Sequence, residues 1–114
     1  MSAEEQEQFE EPFKRISPQE AKELIDSGTV QVIDVREDWE YANGHIPNAR
    51  LVPLKLIIAN ASQHVQGDDI VFVCEVGQRS AVAAEFAAAL GKQNVYNLEG
   101  GTSAWRGLGY PVEQ

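Results

Sequence analysis

The heptapeptide CEVGQRS, residues 74–80, contains the only cysteine of the chain, with a glycine, an arginine and a serine following it at close spacing. Cys74 ends the apolar run IVFV, and Ser80 opens the alanine-rich stretch SAVAAEFAAAL. A loop between a strand's end and a helix's start is expected there. Gly77 permits a tight turn, so several N–H groups can aim at one point and form an anion cradle. The unpaired N–H groups and positive dipole end of a helix starting near Ser80, with the permanent charge of Arg79, favour thiolate over thiol. A free cysteine ionises at about pH 8.5, and such surroundings lower that by one to several units. Cys74 is thus a candidate nucleophile near neutrality, placed with access to solvent and a ring of donors. The competing reading is inert packing, because cysteine is among the most buried residue types.

The elements that must position this loop are legible from punctuation. Phe13 to Ile16 is a short strand, and Ser17-Pro18-Gln19-Glu20 supplies an N-cap, a first-turn proline and a capping-box glutamate. Ala21, Leu24 and Ile25 form one apolar helix face, closed by Gly28. Val30 to Val35 is nearly continuous in β-branched residues, as a strand covered on both faces would be. Glu37 to Asn43 is a short helix ended by Gly44, Leu51-Val52 a brief strand, and Leu54, Ile57, Ile58 and Ala61 have helical spacing. The chain turns near Gly67. Ile70 to Val73 is a strand, Ser80 to Leu90 a helix closed by Gly91, and Val95 to Leu98 a further strand. This alternation predicts an α/β fold with a mostly parallel sheet and helices on both faces. Ligands of such sheets sit beyond the carboxyl ends of the strands, where Cys74 lies.

Composition limits the alternatives. A chain of 114 residues with 43% hydrophobic side chains suits one compact domain with its own core. The formal charge is −9, and five glutamates fall within MSAEEQEQFEE, so residues 1–11 are expected to be an acidic flexible tail ahead of a domain at 12–114. Nine scattered basic residues form no stripe, which argues against nucleic acid or anionic membrane as a partner. Apolar runs too short to span a bilayer and a lone cysteine predict a cytoplasmic protein that is stable without a disulfide.

Four ordered segments resemble the rhodanese family of sulfurtransferases: ISPQEA at 16–21, VIDVREDWEYANGHIPNAR at 32–50, the Cys74 loop, and LEGGTSAWRGLGYPV at 98–112. The resemblance covers roughly Phe13 to Val112 and implies a rhodanese-like five-stranded sheet. It also implies that Cys74 attacks the outer sulfur of a donor such as thiosulfate and carries that sulfur as a persulfide to a thiol or cyanide. By the same resemblance, Glu75, Val76, Gly77, Gln78, Arg79 and Ser80 form the substrate-binding loop, their N–H groups holding anionic sulfur while Arg79 orients the donor or braces the loop. No metal or organic cofactor is implied, and a protein thiol is a possible acceptor.

One departure concerns Glu75, because many thiosulfate-using members have a basic residue there. An inward carboxylate at about 8 Å from a bound charge would repel it by roughly 2 kcal/mol at an effective dielectric of ~20, which predicts poor thiosulfate affinity. Four residues separate Cys74 from Arg79, as in the sulfurtransferases, whereas the related phosphatases use five, and a phosphoryl group needs the wider cradle.

Among other charged residues, Asp34, Arg36 and Glu40 are expected to form supporting salt bridges, with Arg36 bordering the pocket. His45 and His64 lack zinc-ligand spacing. Trp39, Tyr41 and Trp105 are expected to anchor packing, with Trp105 in a short final helix after Gly100-Gly101. Val82, Phe86, Ala89 and Leu90 are expected to face the core. Two function classes follow: a sulfurtransferase, or a noncatalytic rhodanese-like module for binding or sulfur relay.

Overall fold

The computed structural model describes residues 11–114, so the expected acidic tail lies, except for Glu11, outside the described residues. In chain order the elements are β1 (Lys14–Ile16), α1 (Pro18–Ser27), β2 (Gln31–Asp34), α2 (Asp38–Ala42), β3 (Arg50–Leu51), α3 (Leu54–His64), β4 (Ile70–Val73), α4 (Gln78–Ala89), β5 (Val95–Leu98) and α5 (Gly101–Gly107). The five strands form one sheet in the order β1-β5-β4-β2-β3, every pair parallel. From β4 the chain crosses to β5 on one side, and from β2 it crosses to β3 on the other. The winding therefore reverses between β4 and β2, which opens a crevice at their carboxyl ends. Val73 and Asp34 lie side by side in the register at this edge.

Strand parity assigns Cys74 to one layer. Every residue of β4 is fully buried. Ile70, Phe72 and Cys74 pack with Ile57 of α3 and Ala83, Ala84 and Ala87 of α4. Val71 and Val73 pack on the opposite face with Ala21 of α1 and Trp105 of α5. A strand covered on both sides reads as an unbroken apolar run for this reason.

Local signals hold well in α1. The Ser17 hydroxyl accepts from Glu20 N–H at 3.1 Å, Glu20 accepts from Ser17 N–H at 3.0 Å, and Gly28 closes the helix at φ 74°. Helix α4 differs from expectation. It begins at Gln78, two residues before Ser80, with Gly77 as its N-cap at φ 98°. Its inner face is Ser80, Ala83, Ala84 and Ala87, whereas Val82, Phe86, Ala89 and Leu90 face outward. Close approach of the helix to the sheet admits little more than methyl groups, so the larger side chains occupy the far side.

One further packing expectation is corrected. Trp39 is 65% exposed, because the five-residue helix α2 presents it to solvent. Ile57 and Ala61 of α3 are buried, but Ile58 is exposed, and a kink at Asn60 interrupts the helical periodicity. Trp105 is buried as expected, its Nε1 donating to the Pro111 carbonyl at 2.8 Å. Half-buried Tyr41 stacks on His45 with ring centroids 3.6 Å apart.

Candidate active site

The Cys74 sulfur lies inside the loop that joins β4 to α4. Gly77 N–H donates to Sγ at 3.1 Å, and the Ser80 hydroxyl stands 3.3 Å from it. The N–H groups of Val76 and Ser80 also face the sulfur. These amides can turn inward because the adjoining carbonyls are held outward. Thr102 N–H and Oγ1 donate to the Cys74 carbonyl at 2.8 and 3.1 Å, and Ser103 N–H donates to the Glu75 carbonyl at 3.0 Å. The amino end of α5 thus fixes the loop from behind. A Cβ on Gly101, whose φ is +60°, would stand 2.5 Å from both carbonyl oxygens, so this approach requires glycine. Gly77 is constrained likewise, since a Cβ there would meet Gly100 N at 3.2 Å.

Cys74 is only 1% exposed, which corrects the expectation of open solvent access. Burial pushes its thiol pKa up, but hydrogen bonds from the Ser80 hydroxyl and from the N–H groups of Ser80, Gly77 and Val76 outweigh that effect. The thiol ends below its ordinary value. The sulfur is enclosed, but by donors rather than by hydrocarbon alone.

Arg79 carries its charge in an ion pair. Its two terminal nitrogens donate to the two oxygens of Glu40, each at 2.8 Å, so the guanidinium braces the first turn of α4 against α2. That pairing with Arg79, helped by Glu37 N–H, holds the Glu40 carboxyl down at about 2 despite partial burial. Val76 and Gln78 direct their side chains to solvent and offer the loop backbone only.

Glu75 is not an unpaired inward carboxylate. It accepts from Arg36 Nη1 at 3.0 Å and from Arg106 Nη1 at 3.2 Å, so two guanidiniums offset its charge. Arg36 is itself buried. Its Nε donates to Asp34 Oδ1 at 3.0 Å, and its Nη2 to Asp34 Oδ2 at 2.9 Å and to the Gly44 carbonyl at 2.8 Å. Burial works against its charge, but Asp34 and Glu75 more than compensate, and its pKa is raised. The supporting bridge expected of Asp34 and Arg36 is present, and Arg36 borders a cleft of about 260 Å³ shared with Trp39, Glu40, Asn43, Glu75 and Arg106.

Asn97, Gly101, Thr102 and Arg106, none of them expected at the site, all touch the loop or Glu75. The segment LEGGTSAWRG carried a signal for the last three. Asn97 had none, being a polar residue in a short strand. His45 Nδ1 donates to the Tyr41 carbonyl at 2.8 Å, while its backbone bridges Glu113. Among the described residues no three His, Cys, Asp or Glu side chains form a metal-binding group.

The family model of the rhodanese-like domain matches residues 17–108. A thiosulfate sulfurtransferase GlpE of Pseudomonas paraeruginosa is 34% identical over 101 residues, covering 89% of this chain and 90% of that protein. A sulfurtransferase of Allochromatium vinosum is 35% identical over 92 residues, covering 81% and 86%. The crystal structure of a rhodanese-related protein from Thermoplasma volcanium superposes with a TM-score of 0.78 at 32% identity, covering 89% and 98%. Fold and sequence therefore agree, and the chain belongs to the rhodanese-like domain family.

Proposed function

We propose that this chain is a sulfurtransferase that carries sulfane sulfur as a persulfide on Cys74. The observation that supports the reading above others is the set of N–H and hydroxyl donors around one sulfur atom, which favours the ionised form a nucleophile needs. In the first half-reaction the Cys74 thiolate attacks the outer sulfur of the donor. An S–S bond forms at Sγ, the donor's sulfur–sulfur bond breaks, and with thiosulfate the bonding pair leaves on sulfite. In the second, a thiolate or cyanide attacks the outer sulfur of the persulfide and the pair returns to Sγ. Charge balances in both steps, and no metal or organic cofactor takes part.

The N–H groups of Val76, Gly77 and Ser80 hold anionic sulfur, with the backbone of Glu75 and Gln78 completing the loop, while Arg79 braces it and Asp34 and Arg36 support the Glu75 side. The enclosed position of Cys74 suits transfer of a single sulfur atom better than of a phosphoryl group. A small donor meets a small thiol, cyanide or a protein thiol as acceptor, in the cytoplasm, within a domain spanning 12–114.

The second reading, a noncatalytic module, draws on the 1% exposure of Cys74. Mass spectrometry after incubation with thiosulfate, mercaptopyruvate or glutathione persulfide separates the two. A gain of one sulfur by the wild type and none by Cys74→Ser is expected; no adduct from any donor would favour the module.

A further inference from the structure

The Ser80 hydroxyl has one hydrogen and two neighbours that compete for it. Cys74 Sγ lies 3.3 Å from Ser80 Oγ, and Asn97 Oδ1 lies 2.5 Å from it on the other side. The Asn97 amide cannot be reversed. Its Nδ2 donates to the Gly77 carbonyl at 3.1 Å and to Glu99 Oε2 at 2.6 Å, and neither of those oxygens has a hydrogen to give back. Oδ1 therefore faces Ser80 and can only accept.

We propose that Asn97 is a positioning residue that competes with Cys74 for the Ser80 hydrogen and so opposes ionisation of the sulfur. While Cys74 is a thiol, Ser80 donates to Asn97 and offers a lone pair to the S–H. When the proton leaves, the hydroxyl turns to Sγ, and Oδ1 of the fully buried Asn97 loses its partner. Ionisation at Cys74 thus breaks a buried hydrogen bond as it makes another. Glu99, itself paired with Arg15 at 3.0 Å, polarises the amide through Nδ2 and makes Oδ1 the stronger acceptor.

The charged groups near the sulfur are each held in a pair. Arg79 is held by Glu40, Glu75 lies between Arg36 and Arg106, and Asp34 holds Arg36. One consequence rests on the proposed persulfide chemistry: once charge moves to the outer sulfur, the Ser80 hydrogen returns to Asn97, which favours the loaded protein over the free thiolate.

The test is a titration of Cys74 in the reduced full chain, by ultraviolet thiolate absorbance and by the pH dependence of iodoacetamide alkylation. Asn97→Val is expected to lower the Cys74 pKa by about one unit, and Ser80→Ala to raise it by about one. In the Ser80→Ala background, Asn97→Val should change nothing further. An unchanged or raised pKa in Asn97→Val, or the same fall with Ser80 already absent, overturns the proposal. Should Asn97→Val not fold, Glu99→Gln at the half-exposed end of the network takes its place; a fall no larger with Ser80 than without it then overturns the proposal. Alkylation needs no sulfur donor, so failure of sulfur transfer and failure of this competition are separate results.

Discussion

Glu40 and Arg79 meet across the mouth of the candidate site in a two-pronged ion pair, both contacts at 2.8 Å, although they come from different crossovers of the sheet. Their pairing ties α2 to the first turn of α4, in addition to the hold that α5 keeps on the loop carbonyls.

This geometry makes Glu40 a pH-dependent brace. Its folded pKa lies at about 2, below the usual carboxylate range, so its stabilisation is present at neutral pH and lost as pH falls towards 2. Glu40→Gln should lower stability by about 1 kcal/mol at neutral pH, a modest figure because the Arg79 side chain is 38% exposed. The deficit should shrink below about pH 4. Urea unfolding at several pH values measures it; a deficit independent of pH would contradict the pairing.

The lowered pKa of Cys74 predicts the acid limb of the sulfur-transfer rate. Thiolate, and with it the rate, is lost as pH falls through the folded pKa, which lies below the ordinary cysteine value. Ser80→Ala should move this limb upward by about one pH unit, since one donor to Sγ is removed. A pH–rate profile for thiosulfate with cyanide as acceptor reports the shift.

Glu75 tests donor electrostatics. Arg36 and Arg106 offset its charge, so the repulsion of an anionic donor is weaker than an unpaired carboxylate would exert. Glu75→Gln, or Glu75→Lys, should still lower the KM for thiosulfate, by about threefold to tenfold for Gln, and Arg106→Ala should raise it. Unchanged steady-state kinetics in all three variants would remove Glu75 and Arg106 from donor selection.

Gly101 tests the backing of the loop. A Cβ there would press on the Cys74 and Glu75 carbonyls in a backbone conformation unfavourable to alanine. Gly101→Ala should lose about 2–4 kcal/mol of stability. Denaturant unfolding gives the magnitude, and the Cys74 alkylation rate shows whether the inward N–H groups have been displaced.

Much of this architecture was readable in one dimension because its causes are local. Ser17, Pro18, Glu20 and Gly28 mark α1 through bonds made within a few residues. The unbroken run from Ile70 to Val73 identifies a central strand, since a strand buried on both faces has no polar positions to spare. The opposite failure occurred in α4, where Val82 and Phe86 are expected at the core but Ser80, Ala83, Ala84 and Ala87 occupy it. Hydropathy ranks side chains by size as well as by aversion to water, whereas the sheet's proximity selects for the smallest.

The order of residues alone determined that a cysteine, a turn-forming glycine and a helix start would coincide at the carboxyl edge of a parallel sheet, because strand parity and helix punctuation depend only on neighbours. Tertiary structure decided how the charges and hydrogens around that sulfur are shared. Arg79 finds Glu40, Glu75 finds Arg36 and Arg106, and Ser80 lies between Cys74 and Asn97 only after separate crossovers are laid side by side. Electrostatic and hydrogen-bond partners are chosen by distance in space, and that distance is set by the packing of the sheet.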